Sequence, residues 1–531
     1  MADLNAWTIL DRAAQREFPT NNPSVLEIWG YTEKLSYVAG DEVKIRVHTT
    51  APKFNIVIFR DGYEKKTVYT QADVKGVQQA TPEDAYQSGC DWTDVHSFKI
   101  PTEWPAGVYL IILQAEGTNN QKMEREAFFV LRSSAQGQKN SIVLVLTTGT
   151  YTAYNDWGGA NHYRRVENGR ALDVPAPILS LDRPIARGML RSPIGAPRYA
   201  DAPEMPVGGM PRYPCLEWAF AYEFCRHYCD SGWAQYELPF IEWAEKEGYQ
   251  FDFLTQHDIH DNPDWLSPYS VAVIVGHDEY WSWEMRDAVD GFVDSGGNVA
   301  RFAGNFQWQI RVENNGKSQV CYKSTSQDPF FHSDKKHLTS TFLDAEIVGR
   351  PAAETLGLTG IGGIYSRFGN ACPRANGGLT VYRPEHWVFE NTDLYYADQF
   401  GGAPAFINSY EVDSVDYTFR SGLPYPTHKD GAPESLEILA MAPSGGVYES
   451  ERRNPIVNAS KSEALPWFDE VPLAYEVTAD DLEHGAAMVA VFNRGKGTVF
   501  NAGCCEWVSG LIKRDFFVEQ ITRNVLNRLK A

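Results

Sequence analysis

Positive charge is scarce in this 531-residue chain: 48 Lys and Arg stand against 69 Asp and Glu, a formal net charge of −21. Nucleic acid and anionic bilayers recruit basic surfaces, so neither is expected as a partner. Long hydrophobic runs are missing as well. No stretch approaches the ~20 apolar residues of a spanning helix, and MADLNAWTILDR carries no basic segment ahead of an apolar one. A cytoplasmic protein without a membrane role is the expectation. Cysteine is sparse, and the eight residues (Cys90, Cys215, Cys225, Cys229, Cys321, Cys372, Cys504 and Cys505) contain no C-x-x-C pair. That disfavours a zinc ribbon and favours reduced, buried thiols. G-x-S-x-G, Walker A and G-x-G-x-x-G are all absent, which argues against a nucleophile elbow, a P-loop and a dinucleotide fold. No fixed-period repeat is found.

What is present is globular. The chain is 43% hydrophobic and 13% aromatic, which rules out disorder, and its length predicts two or more domains. From about Val25 to Leu131, alternating and β-branched runs such as DEVKIRVHTT, FNIVIFRDG and AGVYLIILQAEG are separated by Gly, Pro and Asp turns. They predict an all-β, immunoglobulin-like sandwich over residues 1–135. From Ser141 the pattern alternates between buried strands (SIVLVLTT, YQFDFLT, SVAVIVG, NVARFAG) and helical segments (236–247, 283–293), with Ser282 as N-cap of the latter. Strand–helix alternation predicts an α/β domain over residues 136–531 with a doubly wound, mostly parallel sheet. Residues of about 165–230 and 312–480 read as long insertions. The C-terminus returns to strands and a terminal helix over 509–529.

Ser270–Gly276 is short, almost wholly apolar and followed at once by His277, Asp278, Glu279, Tyr280 and Trp281. A central strand of an open α/β sheet places such a cluster at its carboxyl edge, where ligands bind. Other strand ends carry Tyr151, Tyr154 and Asn155, then His257 and His260, then Asn305. Asp278 and Glu279 are neighbours on extended chain, point to opposite sides, and cannot flank one glycosidic bond. Glu279 and nearby phenols are hard oxygen donors, which suit a hard cation such as Fe(III).

TYTAYNDWGGANHY, SLDRP, YELPFIEWAEKEGYQFDFLTQHDIH, VGHDEYWSWEMRDAV and AGNFQWQIR together resemble the large subunit of N,N-dimethylformamidase and its shorter relatives. The resemblance runs from about residue 20 to the end. It implies a class I glutamine-amidotransferase-like α/β domain and a mononuclear iron held by two tyrosines and a glutamate. The activity it implies is hydrolysis of the C–N bond of small amides. Carried over by position, the metal ligands are Tyr154, Tyr163 and Glu279. His277 is the general base, Asn305 lines the site, and Lys323 and Glu411 match weaker motifs. Asn161-His162 precede Tyr163 where the family often has Ser-Leu. The implied partners are a small amide substrate, further copies of the chain and a small subunit. Two other readings stand beside this one: a non-catalytic amidotransferase-like binding module, and a zinc hydrolase using His257, His260 and Glu279.

Overall fold

The computed structural model describes residues 17–20, 22–117, 120–133, 140–167, 170–172, 174–201, 214–340, 349–365, 377–445 and 484–531. The N-terminal MADLNAWTILDR, Cys372, and parts of both expected insertions (among them 202–213 and 446–483) lie outside the described residues.

The first eight strands are β1 (Ile28–Thr32), β2 (Ser36–Tyr37), β3 (Glu42–Thr49), β4 (Lys53–Asp61), β5 (Lys66–Lys75), β6 (Asp94–Lys99), β7 (Gly107–Glu116) and β8 (Lys122–Leu131). They form a three-stranded sheet, β1-β3-β6, and a five-stranded sheet, β2-β8-β7-β4-β5. Alternation in EVKIRVHT and KFNIVIF turns Val43, Ile45, Val47, Ile56 and Ile58 into a shared core with Ile111 of β7. β7 and β8 depart from alternation because both of their faces are covered. Val108, Leu110, Phe128 and Val130 turn outward into the core of the rest of the chain. Trp157 sits in that seam, with ring centroids 6.0 Å from both Trp29 and Trp92.

Next come β9 (Ile142–Leu146), α1 (Thr148–Tyr154), β10 (Asp252–Thr255), β11 (Val271–His277), α2 (Trp283–Ser295) and β12 (Asn298–Gly304). After a long intervening stretch follow β13 (Glu411–Ser414), β14 (Glu437–Gly445), β15 (His484–Arg494) and β16 (Gly497–Asn501). β10-β9-β11-β12-β16 run parallel, and every residue of β11 is buried. α2 follows its sequence signals: Ser282 Oγ accepts from Met285 N, and Gly296 closes it in the left-handed region.

The expected doubly wound, mostly parallel glutamine-amidotransferase-like sheet is corrected by the structure. Strand is the dominant secondary structure, and the large sheet is mixed. Beyond β16 the pairing turns antiparallel through β15, β14, the strand Thr359–Tyr365 and β13. Two short strands, Leu379–Val381, paired to β14, and Gln399–Phe400, paired to Leu379–Val381, bring the sheet to eleven strands among the described residues. The physical reason lies in residues 312–480 and the C-terminal strands. Part of what reads as irregular insertion adds short antiparallel strands to the sheet edge, where hairpin connections need no crossover helix.

Two glycines set the sheet's carboxyl edge. Gly276 has a φ of +85°, and a Cβ there would lie 2.1 Å from that of Tyr236. A Cβ on Gly304 would meet the Cys505 amide at 2.7 Å and the Glu411 carbonyl at 2.9 Å. Both positions let backbone or ring approach closer than any side chain allows.

Glu237 opens the helix Glu237–Lys246 fully buried, and its Oε1 accepts from the Thr147 amide and hydroxyl. Its other oxygen has no partner among the described residues, and burial pushes the carboxyl up to about 7. The folded state therefore keeps a proton that the unfolded chain releases. Stability is intact below the ordinary carboxyl range and falls as pH rises toward 7. Glu237→Gln should match the parent's unfolding free energy near pH 4.5 and exceed it by about 3 kcal/mol near pH 8. Urea unfolding at both pH values checks this; a difference that stays constant would refute the assignment.

Candidate functional site

β11 delivers His277 to the sheet edge, and the two residues after it separate as extended chain requires. Asp278 turns under the sheet to Arg301, whose Nε donates to Asp278 Oδ2 at 2.8 Å. Glu279 turns the other way and accepts three hydrogen bonds. Tyr154 Oη, at the end of α1, lies 2.9 Å from Oε2; Tyr163 Oη lies 2.5 Å from Oε1; Trp308 Nε1 lies 2.8 Å from Oε1. The two phenol oxygens are 3.2 Å apart. Three hard oxygen donors thus meet at one point in the protein interior.

His277 is fully buried and donates from Nδ1 to the Asp230 carbonyl at 2.7 Å. Its Nε2 faces Glu411 Oε2 at 2.8 Å and Glu279 Oε2 at 3.4 Å. Glu411 starts β13 and also accepts from Asn305 Nδ2 at 2.9 Å. Asn305 follows β12 with a φ of +64°, its amide hydrogen-bonded to the Asp413 carboxylate and its side-chain oxygen without a hydrogen-bond partner among the described residues. Lys323 is fully buried with a φ of +59°, and its ammonium has no hydrogen-bond partner among the described residues. It lies 3.3 Å from the centre of the Tyr163 ring and 4.5 Å from that of Trp308. Two non-glycine residues held in the left-handed region of one buried cluster are the kind of strain that functional sites retain.

The charges are strongly coupled. Burial drives the Tyr154 and Tyr163 phenols well above their ordinary range, and the Glu279 carboxylate adds to it. Burial also raises Glu279, against the pull of His277. Burial would lower His277, but Glu411 and then Glu279 outweigh it and push the imidazole up to about 10. Lys323 moves the other way, lowered by burial to about 8 despite Glu279 nearby.

The structure brings Tyr154, Tyr163, Glu279, His277, Asn305, Lys323 and Glu411 into this single cluster. It does not bring in His257 or His260. Both lie on the short helix Gln256–Asp261 that directly follows β10. His257 Nδ1 pairs with Thr148 Oγ1 and His260 Nδ1 with Ser282 Oγ. Tyr151 packs elsewhere in the core. Several neighbours escaped sequence reading: Asp230, which orients His277; His227, packed on both ligand-type tyrosines; and Cys505. The Cys505 sulfur, with His277 and Glu411, offers donor atoms all within 4.8 Å of one another. Their segments carry no periodic pattern that would mark them. A cleft of about 430 Å³ lined by Arg46, Trp92, Asp182 and Lys317 shares no residue with the cluster.

A family model described as N,N-dimethylformamidase beta subunit-like, C-terminal, matches residues 55–519. Two curated proteins named N,N-dimethylformamidase beta subunit, from Alcaligenes sp. and Paracoccus aminophilus, are each 31% identical over 78 residues. Those residues are 14% of this chain and 10% of each relative, so the chain spans about a tenth of the relatives' length in these matches. The solved structure of murine CRIg aligns at 10% identity and a TM-score of 0.14, over 21% of this chain and 97% of that one, which carries no argument.

A lysine whose ammonium is depressed in the folded state costs stability at neutral pH, and the cost disappears as pH rises past its ordinary range. Lys323→Met keeps the stem's volume and removes the charge, so it should stabilise the fold by up to about 3 kcal/mol at pH 7. Chemical denaturation of the two proteins tests this. A destabilised variant would mean that Lys323 holds the carboxylates together rather than being tolerated for chemistry.

Proposed function

The chain belongs to the N,N-dimethylformamidase beta-subunit-like family, which is amide-hydrolase-related, and from that premise we propose an iron-dependent amidohydrolase cleaving the C–N bond of a small or N-substituted amide. The observation that carries the reading is the convergence of Tyr154, Tyr163 and Glu279. Two phenols and a carboxylate form an all-oxygen donor set suited to a hard cation, and the residues fit Fe(III) in that sense. A trivalent charge would also offset the burial that keeps these phenols protonated. When bound, the iron supplies Lewis acidity toward the amide carbonyl and toward water.

The chain's own residues divide the remaining work. Trp308 fixes Glu279 by donating to Oε1, and Asp230 fixes the His277 ring through Nδ1. His277 Nε2 and Glu411 Oε2 face each other across 2.8 Å. This pair is the element that takes the proton of an attacking water and delivers one to the leaving amine. Asn305, anchored by its backbone to Asp413, turns its side-chain amide toward the developing oxyanion; one such donor is worth about 3 kcal/mol. The Lys323 ammonium, over the Tyr163 ring, adds positive charge to the cluster. Burial keeps bulk water out, which strengthens each of these interactions.

The curated relatives are named as beta subunits. A partner subunit, alongside self-association, therefore belongs to the proposal. Among the described residues no helix is long and apolar enough to cross a membrane.

One observation favours a second reading. His277, Glu411 and Cys505 form a nitrogen–oxygen–sulfur set, which suits zinc better than ferric iron. The two are separated by the visible spectrum of freshly purified protein. Phenolate bound to ferric iron should give a charge-transfer band, lost in Tyr154→Phe; zinc would leave the protein colourless. Glu279→Ala should lose both metal and turnover. His277→Ala should retain the metal and lose about 10²–10⁴-fold in kcat. Metal-free protein by elemental analysis would sink the hydrolase reading in favour of a binding module, and a His277→Ala enzyme at full speed would remove the proton-transfer role.

A further inference from the structure

Between β13 and β14 a hairpin stands apart from the large sheet. Among the described residues its strands, Tyr417–Arg420 and Leu423–Pro426, pair only with each other, antiparallel. Ser421 and Gly422 join them with φ of +50° and +82°, the left-handed pair whose twist suits a two-residue hairpin turn. Aromatic rings crowd this hairpin. The centroids of Tyr417 and Phe419 are 5.8 Å apart, Phe419 is 5.6 Å from Tyr382, and Tyr382 is 6.0 Å from Tyr396. Phe419 is 49% exposed, Tyr396 52% and its neighbour Tyr395 72%. A two-stranded ribbon is marginal in water, and a contiguous exposed apolar patch marks an interaction surface.

The prolines fix which backbone groups are free. Pro426 stands opposite Tyr417 and Pro424 opposite Phe419. Proline has no N–H, so these are the pairs without ladder hydrogen bonds. The Thr427 amide donates to the Asp416 carbonyl at 2.9 Å, in the same phase. The N–H and C=O of Tyr417 and Phe419 therefore point away from Leu423–Pro426. No other strand among the described residues takes up that edge.

An open edge with exposed aromatics invites a further strand, and this one is complementary to itself. Set antiparallel to a second copy with Thr418 opposite Thr418, the free backbone groups of Tyr417 meet those of Phe419, and the reverse. One face then pairs Tyr417 with Phe419 across the strands, at two places. The other face sets exposed Asp416 opposite exposed Arg420, also at two places. The Asp416–Arg420 pairs fall at non-hydrogen-bonded positions, where side chains come closest. A one-residue slip would oppose Tyr417 and Phe419 to residues whose backbone groups already serve the hairpin.

We propose that the strand Tyr417–Arg420 is a self-association surface, pairing edge to edge in this register with the same strand of a second copy, across a two-fold axis at Thr418. The inference stands on backbone phase and charge placement, and is independent of the amide-hydrolase reading.

Sedimentation equilibrium of the full chain tests it. The parent should be a dimer at micromolar concentration. Arg420→Glu sets acid against acid, and Asp416→Lys sets base against base; each should weaken the dimer about tenfold, because like charges then oppose each other at two places. Arg420→Glu leaves the Asp416 contact with Thr427 Oγ1 in place, so its effect is not one of hairpin damage. The double variant Asp416→Lys/Arg420→Glu restores opposite charges in the same register and should recover the parent's dimer. Circular dichroism matching the parent's reports that each variant is folded. A monomeric parent overturns the inference and leaves the aromatic face to a different chain. A dimer that both single variants leave unchanged belongs to another face and overturns it as well. Weakening in both single variants without recovery in the double overturns the proposed register.

Discussion

The carboxyl edge of the sheet is held by one buried guanidinium. Arg301, in the middle of β12, donates to Asp278 through Nε and Nη2 and to Asp413 and Asn501 through Nη1. It thereby joins the end of β11, the β13 strand and the end of β16. A buried charge persists only when it is closely paired, and removing one partner leaves the others uncompensated. Here two carboxylates bracket a single cation. Asp413 also anchors the backbone amide of Asn305, which holds that residue in its left-handed turn. Glu279 is the next residue after Asp278. The site's geometry is thus set from beneath, by an ion cluster that meets the proposed reacting groups through the Asn305 backbone.

Above that floor the polar groups are arranged so that few are idle. Glu279 accepts from three donors, and Glu411 serves both His277 and Asn305. The exceptions are informative because burial makes an unpaired polar atom costly. Among the described residues Lys323 Nζ, Asn305 Oδ1 and His227 Nε2 lack hydrogen-bond partners, and all three belong to side chains in or against the same cluster. A folded chain optimised for stability alone would fill or pair them.

Much of the central edge was legible in the sequence. SVAVIVG reads as a strand buried on both faces because no polar residue interrupts it, and the titratable run behind it could only lie at the strand's end. Ser282 and Gly296 bound their helix with ordinary capping chemistry. The mixed sheet was not legible. β13 has four residues, and its partner Thr359–Tyr365 is rich in glycine, so neither carries a period that distinguishes strand from loop. Their pairing depends on contacts far away in the sequence. The place of Tyr163 beside Tyr154 and Glu279 was legible only through the family resemblance, since nothing local separates it from a core phenol. His227 and Asp230 lie in a turn-rich stretch, where no periodicity points to the tyrosines they meet.

The aromatic seam around Trp157 has a consequence for how this protein can be taken apart. The outward faces of β7 and β8 are not a surface awaiting a neighbour; they are one half of a core whose other half comes from residues beyond Ser141. Cutting the chain between the two would open a broad apolar face on each fragment. The N-terminal strands and the mixed sheet are expected to gain and lose their structure together, as one cooperative unit rather than as two autonomous folds. A truncated form would then be a strong candidate for aggregation, and proteolytic fragments should not survive as stable pieces. The N-terminal sandwich in this sense shares its core with the half of the chain that carries the candidate site.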